Sequence, residues 1–225
     1  MTALFITATG TDIGKTFVAR GLIGALRRRG RAVAALKPVL SGFEPAEAAG
    51  SDSGLLLSAL GRPGTPDEIA RISPWRYAAP LAPDMAAARE GRTIVFEEVV
   101  KFCRDTIGET GEILLIEGVG GVMVPLGGRR TVLDWMTELG LPVLLVAGSY
   151  LGAISHTLTA LDVLARRGLA IRALVISATA ASPMPLAETR EAIARFAAGL
   201  EIVELPRLPA GSVDHPVFDR LATLL

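Results

Sequence analysis

The fold of this chain is decided by one short stretch, Ala8-Thr9-Gly10-Thr11-Asp12-Ile13-Gly14-Lys15-Thr16. It follows an apolar run at residues 3–7 that is typical of a buried strand, and a segment with helical periodicity begins directly after it. A glycine-rich turn between strand and helix points backbone N–H groups at phosphate oxygens. In such a loop Lys15 would span the β and γ phosphates and the Thr16 hydroxyl would ligate magnesium. The standard pattern has a glycine where this chain has Thr9, but the context still predicts a triphosphate-binding loop.

Short apolar runs alternate with segments of helical periodicity along the rest of the chain. Strands are predicted at residues 3–7, 33–36, 112–116, 142–147, 171–176 and 201–204, and helices that close at a glycine at 16–29, 52–60, 95–107, 153–167 and 186–198. This order is typical of right-handed crossovers in a parallel sheet. We therefore predict an α/β fold of the P-loop NTPase type, with a mostly parallel central sheet flanked by helices. One domain is expected to span residues 1–225, and residues 62–83 to be its longest irregular stretch, either a substrate loop or a surface excursion.

The composition limits the partners and the compartment. The 225 residues include 23 Lys and Arg against 23 Asp and Glu, and half of all residues are hydrophobic. Because neither charge sign dominates, a nucleic-acid partner is not expected. No apolar run reaches the roughly 18 residues of a membrane span, and the first residues carry no basic leader, so we expect a cytoplasmic protein without a membrane partner. The lone Cys103 is expected to be a buried thiol.

Three charged residues from separate segments could complete a phosphoryl-transfer site. Glu117 directly follows the predicted strand 112–116 and precedes a glycine-rich segment, and Lys37 closes the strand 33–36. Both positions fall at the carboxyl edge of the sheet, where open α/β sheets bind ligands. Asp52 stands at a helix start, where a helix N-cap is the favoured interpretation and a metal ligand the alternative. For Lys37 the alternative is a surface lysine.

Several motifs then occur in one order along the chain. After the phosphate loop come Lys37-Pro38-Val39-Leu40-Ser41-Gly42, Ser51-Asp52, Pro80-Leu81-Ala82-Pro83 with Glu90-Gly91-Arg92, and Glu117-Gly118-Val119-Gly120-Gly121. With these motifs the chain resembles the dethiobiotin synthetases. The resemblance continues through Asp134-Trp135, Leu141-Pro142-Val143, Leu151-Gly152-Ala153-Ile154-Ser155-His156-Thr157 and Pro206-Arg207-Leu208, so it runs nearly end to end.

The resemblance implies an enzyme that uses ATP, Mg²⁺ and CO₂ to close the ureido ring of dethiobiotin on 7,8-diaminopelargonic acid, releasing ADP and phosphate. Lys15 and Lys37 would stabilise charge on the carbamate and the transferring phosphoryl group, Thr11 and Ser41 would contact the carbamate, and Thr16, Asp52 and Glu117 would organise Mg²⁺. The nucleotide would be held by Asp12, Ile13, Gly14, Lys15, Thr16, Phe17, Asp52, Glu117, Gly118, Val119, Gly120, Ser177, Ala178, Pro206, Arg207 and Leu208.

The resemblance also implies a homodimer with the substrate site at the subunit interface. The substrate, besides Ser41, would contact a segment at the start of a helix, composed of Leu151, Gly152, Ala153, Ile154 and Ser155. The free N–H groups and positive dipole end of that helix suit the carboxylate of the diamine. The partner subunit would supply this helix start.

The chain departs from the family pattern at three positions. Ala8 replaces a glycine in the loop, Asp84 stands where a histidine is common, and Ser177 aligns with an asparagine that reads adenine. An amide offers a base edge a paired donor and acceptor, whereas a hydroxyl offers one rotatable group. We therefore expect ATP to be accepted but separated less sharply from other triphosphates.

Two other readings remain open. A fragment related to cobyrinate or cobyrate amidoligases would share this kind of domain, but Cys103 lacks the surroundings of a glutaminase nucleophile. A nucleotide-switched ATPase of the partition or division-site type would carry a further lysine early in the phosphate loop, where this chain has Thr9, Gly10 and Thr11.

Overall fold

The computed structural model describes residues 2–180, 182–209 and 211–225. The strands are β1 (Ala3–Ala8), β2 (Val33–Leu36), β3 (Val39–Ser41), β4 (Trp75–Tyr77), β5 (Ile113–Glu117), β6 (Pro125–Gly127), β7 (Arg130–Thr131), β8 (Val143–Ala147), β9 (Ile171–Ser177) and β10 (Ile202–Leu205). The helices are α1 (Lys15–Arg28), α2 (Asp52–Ala59), α3 (Pro66–Ile72), α4 (Pro83–Arg89), α5 (Phe96–Glu109), α6 (Val132–Leu139), α7 (Ala153–Arg166), α8 (Leu186–Ala194) and α9 (Pro216–Ala222), with a 3-10 helix at Pro45–Gly50.

The central sheet has the strand order β10-β9-β8-β1-β5-β2, and each neighbouring pair is parallel. This confirms the predicted fold class. Because helices cover both faces of such a sheet, its strands are mostly apolar. Every residue of β1, β5 and β8 is accordingly buried. The rings of Phe5 on β1 and Trp135 on α6 meet edge to face at 4.9 Å, which ties that helix to the middle of the sheet.

The strand order places the functional segments side by side. From β1 the chain crosses to β2 on one side of the sheet, and β8 lies on the other side of β1. Strand β1 pairs with both β5 and β8, with Phe5 opposite Ile116 and Val143. Ligands of open α/β sheets bind outside the carboxyl ends of the strands at such a reversal. The phosphate loop follows β1, Glu117 ends β5 and Lys37 follows β2, so all three meet at this edge.

The prediction of an irregular stretch at residues 62–83 is wrong. It contains α3 and β4, and α4 begins at its last residue. Helix α3 starts with Pro66 behind a Thr65 side-chain cap. Strand β4 pairs in parallel with β3 as a two-stranded sheet of its own. Three paired residues are too few for hydrophobic alternation to reveal a strand, which is why the sequence pattern missed it.

The burial of Cys103 and the character of the helices can also be described. Cys103 on α5 is fully buried, as predicted. None of the helices in the described ranges combines the length and the apolar character that a membrane crossing requires.

Candidate functional site

The phosphate loop passes from β1 into α1 through backbone conformations that side chains disfavour. Gly14 is the N-cap of α1 with φ 105°, and no side chain caps the helix there. Asp12 has φ 56°, the single positive φ outside glycine among the described residues. The Lys15 ammonium donates to the carbonyl oxygen of Gly10 at 3.3 Å, and so folds back over its own loop. The first N–H groups of α1 are therefore left for an anion.

The glycine-rich segment after β5 lies against this loop, backbone to backbone. A Cβ on Gly121 would stand 3.2 Å from both the Cα and the N of Gly10, so a side chain there would push the two backbones apart. The Val122 N–H donates to the Ala8 carbonyl at 3.0 Å and fixes the same contact. The predicted strand-end carboxylate Glu117 is thereby held beside the loop.

Lys37 joins two carboxylates at the floor of this edge. Its Nζ lies 2.5 Å from Glu117 Oε1 and 2.9 Å from Asp52 Oδ2. The Thr16 hydroxyl donates to the same Glu117 oxygen at 2.6 Å. The alternative of a surface lysine is wrong, because the Lys37 side chain is only 3% exposed.

The cap interpretation of Asp52 is also wrong. Ser51 is the N-cap of α2, and its hydroxyl accepts from the Gly54 N–H at 3.1 Å. Asp52 is the first residue of the helix, and its carboxylate is free to reach Lys37. The neighbouring Ser51 was the better cap candidate, since serine is among the preferred cap residues.

The charged groups of the site shift one another's pKa values. Burial alone would lower the pKa of Lys37, but the adjacent Glu117 and Asp52 carboxylates outweigh it and raise that pKa. Burial would raise the pKa of Asp52, but Lys37 holds it below its usual range. Lys15 has its pKa lowered to about 8, first by burial and then by the Lys37 charge. The two ammonium groups thus differ, because the pKa of Lys37 is raised and that of Lys15 is lowered.

The Thr16, Asp52 and Glu117 side chains offer a fit to magnesium. One oxygen of Glu117, Oε2, is buried and without a hydrogen-bond partner among the described residues. Those residues contain no cluster of three or more His, Cys, Asp or Glu side chains that could hold a metal. Magnesium is commonly bound by one or two carboxylates and completes its shell with water and substrate phosphates. The Thr16 hydroxyl and the two carboxylates beside the phosphate loop match these ligand preferences.

A cavity of about 710 Å³ opens above these residues. It brings together predicted residues from separate segments, namely Thr11, Asp12, Gly14, Lys15, Thr16, Lys37, Ser41, Asp52, Val119 and Gly120. The Ser41 hydroxyl is buried and has no partner among the described residues. No role was predicted for the residues of the apolar wall, although Pro80-Leu81-Ala82-Pro83 was among the motifs; the wall is formed by Leu40, Pro80, Leu81, Ala82, Pro83 and Val124.

A second cavity of about 420 Å³ lies on the other side of the loop. Predicted nucleotide residues line it, namely Asp12, Ile13, Gly14, Phe17, Ser177, Ala178, Pro206, Arg207 and Leu208. Tyr150, Thr179 and Ala180 line it too and were missed. Gly118 lines neither cavity, because its backbone is buried against the Phe5 ring, 2.9 Å from where a Cβ would stand.

Known proteins similar in sequence to this chain are nucleotide-dependent enzymes, in keeping with the phosphate loop. A protein-family model described as an AAA domain matches residues 2–212. The ATP-dependent dethiobiotin synthetase BioD of Acidiphilium cryptum is 51% identical over 87% of this chain and 88% of its own length. The enzyme of the same name from Methylobacterium nodulans is 48% identical over 95% and 98%. The chain belongs to the dethiobiotin synthetase family.

Solved structures support the fold of this dethiobiotin synthetase family member. The septum site-determining protein MinD from Pyrococcus horikoshii, solved with Mg-ADP, superposes with a TM-score of 0.55 and covers 98% of this chain and 94% of its own. Its identity to this chain is 16%, so the likeness concerns the fold alone. The close sequence relatives favour the synthetase over the switch ATPase and the amidoligase fragment.

The segment expected to contact the diamine in a dethiobiotin synthetase lines neither cavity of the single chain. Gly152, with φ 95°, is the N-cap of α7, and no side chain caps that helix start. Leu151 is 87% exposed, and Ser155 also faces solvent. Within one chain, residues 151–155 are therefore not brought together with Lys37 and Ser41.

Proposed function

We propose that the protein is a dethiobiotin synthetase, which converts 7,8-diaminopelargonic acid, CO₂ and ATP into dethiobiotin, ADP and phosphate with Mg²⁺. One amine adds to CO₂ and loses a proton to give a carbamate. A carbamate oxygen then attacks the γ-phosphorus of ATP, and ADP leaves. The second amine attacks the carbonyl carbon of the mixed anhydride, so that phosphate departs and the ureido ring closes.

The observation that carries this proposal is the position of Lys37 in the larger cavity. A buried ammonium beside Lys15 provides fixed positive charge where the carbamate and the transferring phosphoryl group would meet. Such charge in a water-poor site is worth most where negative charge develops. Thr11 and Ser41 line the same cavity and would orient the carbamate. The buried Ser41 hydroxyl without a partner supports that role.

Thr16, Asp52 and Glu117 would hold Mg²⁺, whose chemistry is to neutralise the β and γ phosphates and to polarise the transferring group. Lys37 and Thr16 both donate a hydrogen bond to Glu117 Oε1 and so hold this carboxylate in place. The smaller cavity would take the base, between Phe17, Ser177, Ala178 and the Pro206-Arg207-Leu208 segment. We also propose that Gly118 acts by shaping the loop.

We further propose a homodimer in which the start of α7 of one copy faces the larger cavity of the other. The exposure of Leu151 and the uncapped helix start support this arrangement. The N–H groups of that helix start would bind the diamine carboxylate through the helix dipole.

The activity is tested by mixing the protein with 7,8-diaminopelargonic acid, Mg²⁺, ATP and ¹³C-bicarbonate. We expect dethiobiotin by mass spectrometry with the label in its ureido carbonyl, and no product when any component is omitted. Lys101 is an exposed lysine paired with Asp105, so Lys101→Ala is a control that should keep full activity. Folded protein that makes no labelled dethiobiotin would overturn the proposal.

The shared site is tested by complementation. Ser155→Glu places a negative charge in the first turn of α7, where it stabilises the helix but repels a carboxylate. Lys37→Ala and Ser155→Glu should each be inactive alone. Co-expressed, they should recover about one quarter of the wild-type activity, because random pairing gives mixed dimers with one intact site. No recovery, from variants that still form dimers by light scattering, would place both residues in one chain's site.

A further inference from the structure

Two loops beside the smaller cavity are joined by a reciprocal pair of hydrogen bonds. The Ser149 N–H donates to Thr179 Oγ1 at 3.0 Å, and the Thr179 N–H donates to Ser149 Oγ at 2.9 Å. Ser149 follows β8 and leads into α7, whereas Thr179 follows β9. We call this pair the Ser149–Thr179 clasp.

The clasp has one buried member, Ser149, and one half-buried member, Thr179. Ser149 is 1% exposed, and the Ser182 hydroxyl donates to its carbonyl oxygen at 2.8 Å. A Cβ on Gly148 would stand 2.7 Å from the Tyr150 ring and 3.0 Å from Thr179 Oγ1, so any larger residue would displace one of these side chains. Two backbone N–H groups depend on these hydroxyls. Loss of the Thr179 hydroxyl would leave the N–H of the buried Ser149 without a partner, which is costly.

The clasp connects the smaller cavity with the start of α7. Thr179 of the clasp and Tyr150, which follows Ser149 in the chain, both line that cavity. Tyr150 also reaches the helix, since its hydroxyl lies 2.8 Å from His156 Nδ1 and its carbonyl accepts from the Ala153 N–H at 2.9 Å. A ligand in the cavity would therefore contact the same loop that sets the position of the first turn of α7.

We infer that Ser149 and Thr179 are positioning residues that couple nucleotide binding to binding of the diamine carboxylate. The inference rests on the proposed function. A nucleotide that fills the smaller cavity orders the loop carrying Ser149 and Tyr150, so that a carboxylate arriving at α7 meets a start of the helix that is already fixed. Ligands that order the same segment bind cooperatively even without a change of shape. In the proposed dimer, the nucleotide of one copy thereby tightens the diamine site of the other.

The test measures how each ligand changes the affinity of the other. Dissociation constants are determined by calorimetry for the diamine with and without a non-hydrolysable Mg-ATP analogue, and for the analogue with and without the diamine. In the wild-type protein we expect coupling of at least about 5-fold, of the same size in both directions by linkage. Thr179→Val keeps the shape but removes the hydroxyl, and should bring the ratio close to one. Thr179→Ser keeps the hydroxyl and should retain the coupling.

A purely structural role is separated by a matched control. Thr106→Val on α5 removes a hydroxyl that donates to the Phe102 carbonyl, far from the clasp in sequence. It should lower the melting temperature while leaving the coupling intact. In hydrogen exchange, the analogue should slow the first turn of α7 in the wild type and in Thr179→Ser, but not in Thr179→Val.

The outcomes separate the two proposals. Unchanged coupling in Thr179→Val, or a ratio of one in a wild-type protein that makes dethiobiotin, would overturn the clasp inference alone. A wild-type protein that neither binds nor converts the diamine would overturn the proposed function and the inference with it.

Discussion

Lys37 Nζ lies 2.5 Å from Glu117 Oε1, although 80 residues separate them in the chain. The contact exists because β2 and β5 are neighbours in the sheet and both end at this edge. Both side chains are almost fully buried, so each charge depends on the other for its solvation. The pair is therefore both a structural contact and the centre of the proposed phosphoryl-transfer site.

Lys37→Ala should lower the turnover number by at least about 100-fold, since it removes a fixed charge from the transition state. Nucleotide binding should survive, because the phosphate loop stays intact. The free energy of unfolding should fall by about 3–5 kcal/mol, because Glu117 is left buried and unpaired. Steady-state kinetics, nucleotide titration and urea unfolding measure the three effects. Near-normal turnover in a folded Lys37→Ala protein would remove Lys37 from the mechanism.

Asp52→Asn should raise the Mg²⁺ concentration needed for half-maximal activity by roughly 10-fold, as is common when a group supporting a metal is lost. The adjacent Ser51→Ala is the matched control. It removes the cap of α2 and should cost about 1 kcal/mol of stability without changing the Mg²⁺ dependence. A Mg²⁺ titration that shifts in Ser51→Ala but not in Asp52→Asn would contradict the proposed ligand role.

Nucleotide affinity should fall as the pH rises above about 8, because the pKa of Lys15 in the free protein is lowered to about 8 by burial and by Lys37. A bound triphosphate favours the charged ammonium, so binding then requires uptake of a proton. In Lys15→Met the remaining affinity should lose this pH dependence. Titrations of a fluorescent ATP analogue between pH 6.5 and about 9.5 would show it; an affinity that is flat across this range contradicts the assignment.

The lowered pKa of Lys15 also makes the free energy of unfolding depend on pH. The folded-state pKa of Lys15 lies below the ordinary value of 10.5, so the unfolded chain binds more protons between about pH 8 and 10.5. This lysine's contribution to the free energy of unfolding therefore rises with pH across that window. Comparison of urea unfolding of the wild type and Lys15→Met at both ends of the window isolates the contribution.

The sequence predicted the central sheet and the phosphate loop closely, because long apolar runs and a glycine-rich turn carry strong local signals. The six sheet strands lie within about a residue of their predicted bounds. It missed α6, although Thr131 and Asp134 form a capping box whose spacing is visible in the sequence. It could not find the strands β3, β4, β6 and β7, which are too short to show a period.

The positions of Lys37 and Glu117 at the edge of the sheet were predicted correctly, because a motif fixed each residue to a strand end. Only the cap interpretation of Asp52 failed, because two adjacent residues could cap the same helix, and its role as a metal ligand stays a prediction. Tyr150 and Thr179 gave no signal, because isolated hydroxyl residues in loops occur throughout the chain. Only the packing of two distant loops brings them to the smaller cavity.

Ser177 should discriminate weakly among bases. Its hydroxyl lies 3.2 Å from where a Cβ on Gly14 would stand, so it packs closely on the phosphate loop. Rates with ATP, CTP and GTP should lie within about 10-fold of one another, since one rotatable hydroxyl cannot match a base edge. Ser177→Asn should increase the preference for ATP, and Ser177→Ala should not. A strong ATP preference that no substitution of Ser177 changes would contradict this role.

Cys103 should resist labelling in the folded protein. Burial raises the pKa of its thiol to about 12, partly offset by Trp135, and the side chain is inaccessible. A thiol reagent at neutral pH should react at least about 100-fold faster after unfolding in urea, because reaction requires the exposed thiolate. Arg104→Cys places a thiol on the exposed side of the same helix and should label at once. Rapid labelling of the folded wild type would show that α5 opens readily.

The ammonium of Lys37 between two carboxylates has a consequence for handling the protein. In structural zinc proteins a chelator removes the ion that holds the ligands together, and the chain unfolds. Here an internal cation, the Lys37 ammonium, contacts both Glu117 and Asp52, so a metal is not needed to hold the two carboxylates together. Purification in a chelating buffer should therefore leave a folded, storable protein that regains activity as soon as magnesium is returned.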